Sequence, residues 1–155
     1  MRGILGVRAE PTAINWAIVT GTLDKPVLHA SGTETAPHAY REGESLAWIR
    51  QRVVYVLDTY TPVKVAIRYP ERTAKGSNKD SAKARCRVEG VVLEAAGSKN
   101  LEIITGALNT FAKHSQRESP KEDLASEDLR GLDWSRYKSK LQEAIYVAFS
   151  LLPRG

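Results

Sequence analysis

The residues in this sequence best able to do chemistry are cations, and they are concentrated. Eight Lys or Arg side chains fall between Lys64 and Arg87 (Lys64, Arg68, Arg72, Lys75, Lys79, Lys83, Arg85 and Arg87), opposed there by Glu71 and Asp80 alone. That segment carries +6 while the whole chain carries +5, so the remainder is close to neutral. A localised excess of this kind suits a polyanion, because cations that neutralise phosphates release condensed counterions. The same charges would also serve as a solvated helix face beside a polar loop, and the sequence leaves both readings open.

Other reactive residue types offer less. His29, His38 and His114 are dispersed and show no ligand spacing. A single cysteine, Cys86, excludes an internal disulfide and a Cys-based zinc cluster, and it reads as a structural thiol on a helix face. Trp16, Trp48 and Trp134 fall on apolar patterns and are expected in the core, whereas Tyr40 and Tyr69 could stack on bases. No Walker loop, dinucleotide-binding glycine motif or nucleophile elbow is present. The composition, 42% hydrophobic and 26% charged over 155 residues, is that of one globular domain spanning 1–155. No apolar run approaches the roughly 18 residues that cross a bilayer. The opening Met1-Arg2-Gly3-Ile4-Leu5-Gly6 enters a strand with no signal-peptide pattern, so a reduced cytoplasmic protein without membrane contact is expected.

The elements that must position these cations alternate in period. Residues 2–8, 12–20 and 26–31 read as three strands, with Gly21 and an Asp24-Lys25-Pro26 turn between the last two; short links make them an antiparallel meander. Leu46, Ile49, Val53, Val56, Leu57 and Tyr60 recur at helical spacing, and Pro62 closes that helix. Residues 63–69 form a strand stopped by Pro70, and the polar stretch from Glu71 to Lys79 is expected to be a mobile loop. Ala84, Val88, Val91, Val92 and Ala95 define a second helix ending near Gly97. Residues 101–105 form a fifth strand, followed by a short helix over 107–113. Residues 114–131 are polar, hold Pro120 and Gly131, and are expected to be a flexible loop. Asp133 is the expected N-cap of a final helix with Trp134, Tyr137, Leu141, Ile145, Ala148 and Leu152 on one face.

The element order and four short motifs resemble the RuvC branch of the RNase H-like nucleases. Ile4-Leu5-Gly6-Val7-Arg8 through Trp16-Ala17-Ile18-Val19 is similar to the opening two strands of that family. Val65-Ala66-Ile67-Arg68 resembles the central strand, Arg87-Val88-Glu89-Gly90-Val91-Val92 the next helix, and Gln142-Glu143-Ala144-Ile145-Tyr146-Val147-Ala148 the last. Glu71-Arg72-Thr73-Ala74-Lys75-Gly76 also resembles a stretch found in a small bacterial RuvC-like family. The resemblance implies an α/β fold with a five-stranded mixed sheet, three antiparallel strands first, flanked by helices.

It also implies a chemistry from which this chain departs. RuvC-type nucleases hold two divalent metals with about four carboxylates, which position a water and stabilise the leaving oxygen. Carried over residue by residue, those positions fall at Arg8, Arg68, Lys140 and Glu143. Three fixed cations would repel Mg²⁺ by several kcal/mol even at an effective dielectric of about 20. The first expectation is therefore a catalytically inactive RuvC-like domain that binds nucleic acid or joins an assembly. It would use Arg8, Arg68, Arg72, Lys75, Lys79, Lys83 and Lys140, with no cofactor. The second is a divergent Mg²⁺-dependent nuclease or junction resolvase using Glu10, Glu71 and Glu143, although Pro11 and Pro70 place Glu10 and Glu71 beyond the regular strands. The third is a structural subunit with a protein partner or a second copy of itself. The cations at positions 8, 68 and 140 could equally pair with the three glutamates.

Overall fold

The computed structural model describes residues 2–71 and 79–155. The meander forms as expected: β1 (Ile4–Glu10), β2 (Ala13–Gly21) and β3 (Pro26–Thr35) pair antiparallel in succession. The third strand runs four residues past its expected end, Ala13 pairing with Thr35. Helix α1 (Glu42–Tyr60) opens with Glu44 accepting the Arg41 backbone N–H and ends at Thr61, which adopts a left-handed conformation before Pro62. Strands β4 (Lys64–Arg68) and β5 (Glu102–Gly106) join parallel to give the order β3-β2-β1-β4-β5. Helix α2 (Lys79–Ser98) connects them. The expected mobile loop after β4 falls on 72–78, outside the described residues, while Lys79 already opens α2.

Alternation along the strands divides the core into two layers. Leu5, Val7 and Ala9 of β1, with Val65 and Ile67 of β4, pack under α1 and α2 against Ile49, Val53, Val88 and Val92. The opposite face carries α5 (Ser139–Ser150), whose Ala144, Ile145 and Ala148 pack with Ile4, Ala17 and Val19. Each large aliphatic side chain so buried contributes roughly 1.5–3 kcal/mol. Gly6 lets α5 approach β1 closely: a Cβ there would lie 2.0 Å from the Ala144 carbonyl oxygen and 2.9 Å from the Ala148 Cβ. Among the described residues no helix is long and apolar enough to cross a membrane.

Two expectations about the C-terminal third need correction. The segment 114–131, expected as a flexible loop, carries secondary structure. Beyond α3 (Leu108–His114) come α4 (Pro120–Ala125) and the two-residue strand β6 (Asp128–Leu129), which pairs with β7 (Leu132–Asp133). Ser119 caps α4, with Pro120 at its start. The charged residues there are internal partners: Arg117 grips Asp123 through two hydrogen bonds of 2.7 and 2.8 Å, and the Tyr146 hydroxyl donates to the same carboxylate at 2.7 Å. Asp133 does not cap the last helix. It accepts from the backbone N–H and hydroxyl of Ser135, closing a local turn, and α5 starts only after Lys138. Trp134 is fully buried before the helix, its indole N–H donating to the Ser126 carbonyl.

Candidate functional site

The alternation that builds the two layers also aims the polar residues. Arg8 and Glu10 share the β1 face of Ile4 and Gly6, and Arg68 shares the β4 face of Ala66, so all three side chains leave the sheet on the side of α5. Arg8 and Arg68 are direct partners in the β1–β4 register, at the C-terminal ends of two parallel strands. In open α/β sheets that end is where ligands bind. Glu10, expected beyond the strand, is instead the last residue of β1 and pairs with Ala13; the turn begins only at Pro11.

Glu143 of α5 reaches both arginines. Its Oε1 lies 2.9 Å from Arg68 Nε and 3.6 Å from Arg8 Nε, and all three side chains are only 12–14% exposed. Lys140, one turn earlier, binds the Glu10 carboxylate at 2.8 Å. Asn15 links the two pairs, donating at 3.2 Å to the Arg8 carbonyl and at 2.9 Å to Glu10, while its own carbonyl accepts from Thr33. Burial works against an ionised Glu10, but Lys140, Asn15 and Arg8 overcome it and hold that carboxyl below the usual range.

The first turns of α2 add two groups. Arg85 stands 3.8 Å from the nearly buried Glu89 in an i, i+4 pair. Burial pushes the Glu89 carboxyl up, opposed by the nearby charges of Arg85, Arg68 and Arg8. Arg68 is itself displaced below the usual guanidinium range, first by burial and then by Arg8 and Arg85, against the favourable pull of Glu143 and Glu71. Three guanidinium groups thus face two interior carboxylates, leaving one positive charge in surplus.

The pairing is also incomplete. Six buried side-chain polar atoms in the described residues meet no hydrogen-bond geometry. Five of them (Arg8 Nε, Arg68 Nε, Arg85 Nε, Glu89 Oε2 and Glu143 Oε1) belong to this cluster, and the sixth is Trp16 Nε1. Buried polar atoms are ordinarily satisfied, so their concentration at one place marks a site rather than a packing accident. What such an arrangement can do chemically is bind a tetrahedral oxyanion, since guanidinium N–H groups match phosphate oxygens in charge and direction.

The remaining expected residues are placed separately. Lys79 and Lys83 are exposed on α2. Glu71 is half-buried past the end of β4, close enough to influence Arg68. Arg72 and Lys75 lie outside the described residues. Among those described, no three His, Cys, Asp or Glu side chains gather as a metal would require, and the residues at the strand ends do not fit a pair of divalent cations. Arg85 and Glu89 were missed as site residues. The available signal was Glu89, a carboxylate in the apolar stripe of α2 between Val88 and Val92.

No family model and no curated protein sequence matches the chain. Solved structures do. It is similar to T. thermophilus RuvC in complex with a Holliday junction substrate, with a TM-score of 0.76 and 20% identity over 97% of this chain and 92% of that one. A further Thermus thermophilus RuvC structure gives 0.74 and 19% over 95% and 91%. The yeast mitochondrial Holliday junction resolvase Ydc2 gives 0.62 and 11% over 97% and 77%. The five-stranded mixed sheet, its strand order and the flanking helices are therefore those of the RuvC-type, RNase H-like fold.

Proposed function

We propose that this chain is a RuvC-fold domain that binds nucleic acid through a cationic phosphate site at the ends of β1 and β4, without metal-dependent cleavage. One observation carries the reading. Arg8 and Arg68 are adjacent in register, converge on the single carboxylate of Glu143, and keep Nε groups that meet no hydrogen-bond geometry. The fold match adds that structures of this shape include one solved on a branched DNA substrate. On the resemblance drawn from the sequence, Arg8, Arg68 and Lys140 replace carboxylates, turning a cation site into an anion site. Lys79 and Lys83, exposed on α2, extend the basic surface, as do Arg72 and Lys75 by sequence. The cytoplasm is the compartment that goes with this reading.

The test is binding of labelled single-stranded and branched DNA by fluorescence anisotropy across a salt series, with cleavage followed in parallel in Mg²⁺ and Mn²⁺. The expected result is salt-sensitive binding, weakened by Arg8→Gln and by Arg68→Gln, with both DNAs left intact. Metal-dependent cleavage abolished by substituting Glu10, Glu71 or Glu143 would establish the nuclease instead. Absence of binding at low salt would leave the fold as a protein-interaction subunit.

A further inference from the structure

The phosphate site opens sideways into a groove that the sequence did not single out. It has a volume of about 810 Å³ and lies between the segment leading into α5 and strands β2 and β3. Arg136, Tyr137, Lys138 and Lys140 form one wall, and the hydroxyls of Thr33 and Thr35 form part of the other. The groove is continuous with the arginine cluster, because Glu10 and Asn15 line it and Asn15 also bonds the Arg8 carbonyl. Lys140 is neutralised by Glu10. Arg136 is not engaged by a carboxylate among the described residues. Its guanidinium lies 5.1 Å from the centre of the Tyr137 ring and donates to the Tyr137 hydroxyl at 3.1 Å. The Tyr137 ring in turn packs against the α5 core.

We infer that this groove holds the continuation of an unpaired nucleic-acid strand whose phosphate lies on Arg8 and Arg68, an inference that rests on the phosphate-site reading above. A pocket of this volume falls within the roughly 300–1,000 Å³ range that encloses small molecules, so it takes sugars and bases but not a duplex. The Arg136 guanidinium, backed by Tyr137 and exposed outward, is a flat cationic surface of the kind on which unpaired bases stack. Lys138 supplies charge for the next phosphate, and the threonine hydroxyls can bond sugar or base edges whatever the sequence.

The experiment uses the full chain with labelled oligothymidylates of about two and about eight nucleotides, within and beyond the reach of the arginine cluster. For the longer strand, the combined Arg136→Ala and Lys138→Ala variant is expected to flatten the slope of log affinity against log salt by about 1.4, about 0.7 for each lost phosphate contact. Binding of the short strand stays unchanged, and the charge-preserving pair Arg136→Lys with Lys138→Arg keeps the parent slope. Arg8→Gln weakens both strands. If Arg8→Gln weakens both but the groove variant changes neither, the groove inference is overturned and the phosphate site stands. If Arg8→Gln has no effect, or the parent binds neither strand, the phosphate site fails and the groove inference falls with it. A duplex of equal length that binds as tightly, with the same dependence on Arg136 and Lys138, overturns the unpaired-strand assignment, as does a lost slope in the charge-preserving pair.

Discussion

Replacing Arg68 with methionine separates a ligand-binding arginine from a structural one. At 2.9 Å from Glu143 Oε1, Arg68 gains an attraction on the order of 6 kcal/mol at an effective dielectric of about 20. Against this stand the withdrawal from water of a side chain only 12% exposed, a penalty of several kcal/mol, and the repulsion of Arg8 and Arg85. The displacement of the guanidinium below its usual range says that the opposing effects prevail. Methionine preserves most of the apolar length and leaves two guanidinium groups facing two carboxylates, a balanced cluster. The expected stability of Arg68→Met is therefore within about 1 kcal/mol of the parent, as for other interior ion pairs exchanged for apolar residues. Its single-strand salt slope should flatten by about 0.7. Urea unfolding with an unchanged m-value measures the first quantity and anisotropy the second. A loss of about 3–5 kcal/mol with unaltered nucleic-acid binding would refute the reasoning, showing Arg68 to be a strut that holds α5 to the sheet.

Three further perturbations test neighbouring parts of the account. Because the Glu89 carboxyl is raised, ionising it opposes folding between its ordinary value of 4.5 and its higher folded value. Glu89→Gln should then equal or exceed the parent in stability at neutral pH, with any gain disappearing below about pH 4.5 in a pH series of urea melts. Asp123 shows the opposite sign. Its carboxyl is held low, against burial, by Arg117 and Tyr146, so its contribution is present above 3.8 and lost as pH falls through the folded value. Asp123→Asn should cost roughly 2–3 kcal/mol at pH 7, and a difference that persisted at pH 2 would contradict this cause. Gly6→Ala forces a methyl group onto the Ala144 carbonyl and should cost about 1–3 kcal/mol or more in thermal unfolding, while displacing Glu143 from the arginines. An unchanged melting temperature would show that α5 can move away freely.

The strands were legible because period-2 alternation is the direct consequence of a sheet covered on both faces. Leu5, Val7 and Ala9 face one layer while Ile4 and Gly6 face the other, and the same parity sends Arg8 towards α5. The resemblance placed Arg8, Arg68 and Glu143 at corresponding positions, and the structure brings those three together. What stayed hidden depended on tertiary partners. The polar run 114–131 reads as loop because Arg117 and Asp123 look like solvent groups until Tyr146 is placed beside them. Asp133 satisfies every local criterion for a helix cap, yet Ser135 takes its carboxylate. Arg85 and Glu89 sit at an i, i+4 spacing that is common on exposed helices, and only the packing of α2 beside the strand ends puts them in the cluster.

The central claim is that the guanidinium groups at the strand ends bind phosphate directly. Proton–nitrogen correlation spectra of the arginine Nε–H groups, recorded while a short oligothymidylate is titrated into the full chain, report on those atoms themselves. The account predicts saturable shifts for Arg8 and Arg68, with Arg85 following and Arg50, held by Glu94 on the outer helical layer, unmoved. Resonances of Arg8 and Arg68 that stay fixed while the oligonucleotide binds would contradict it.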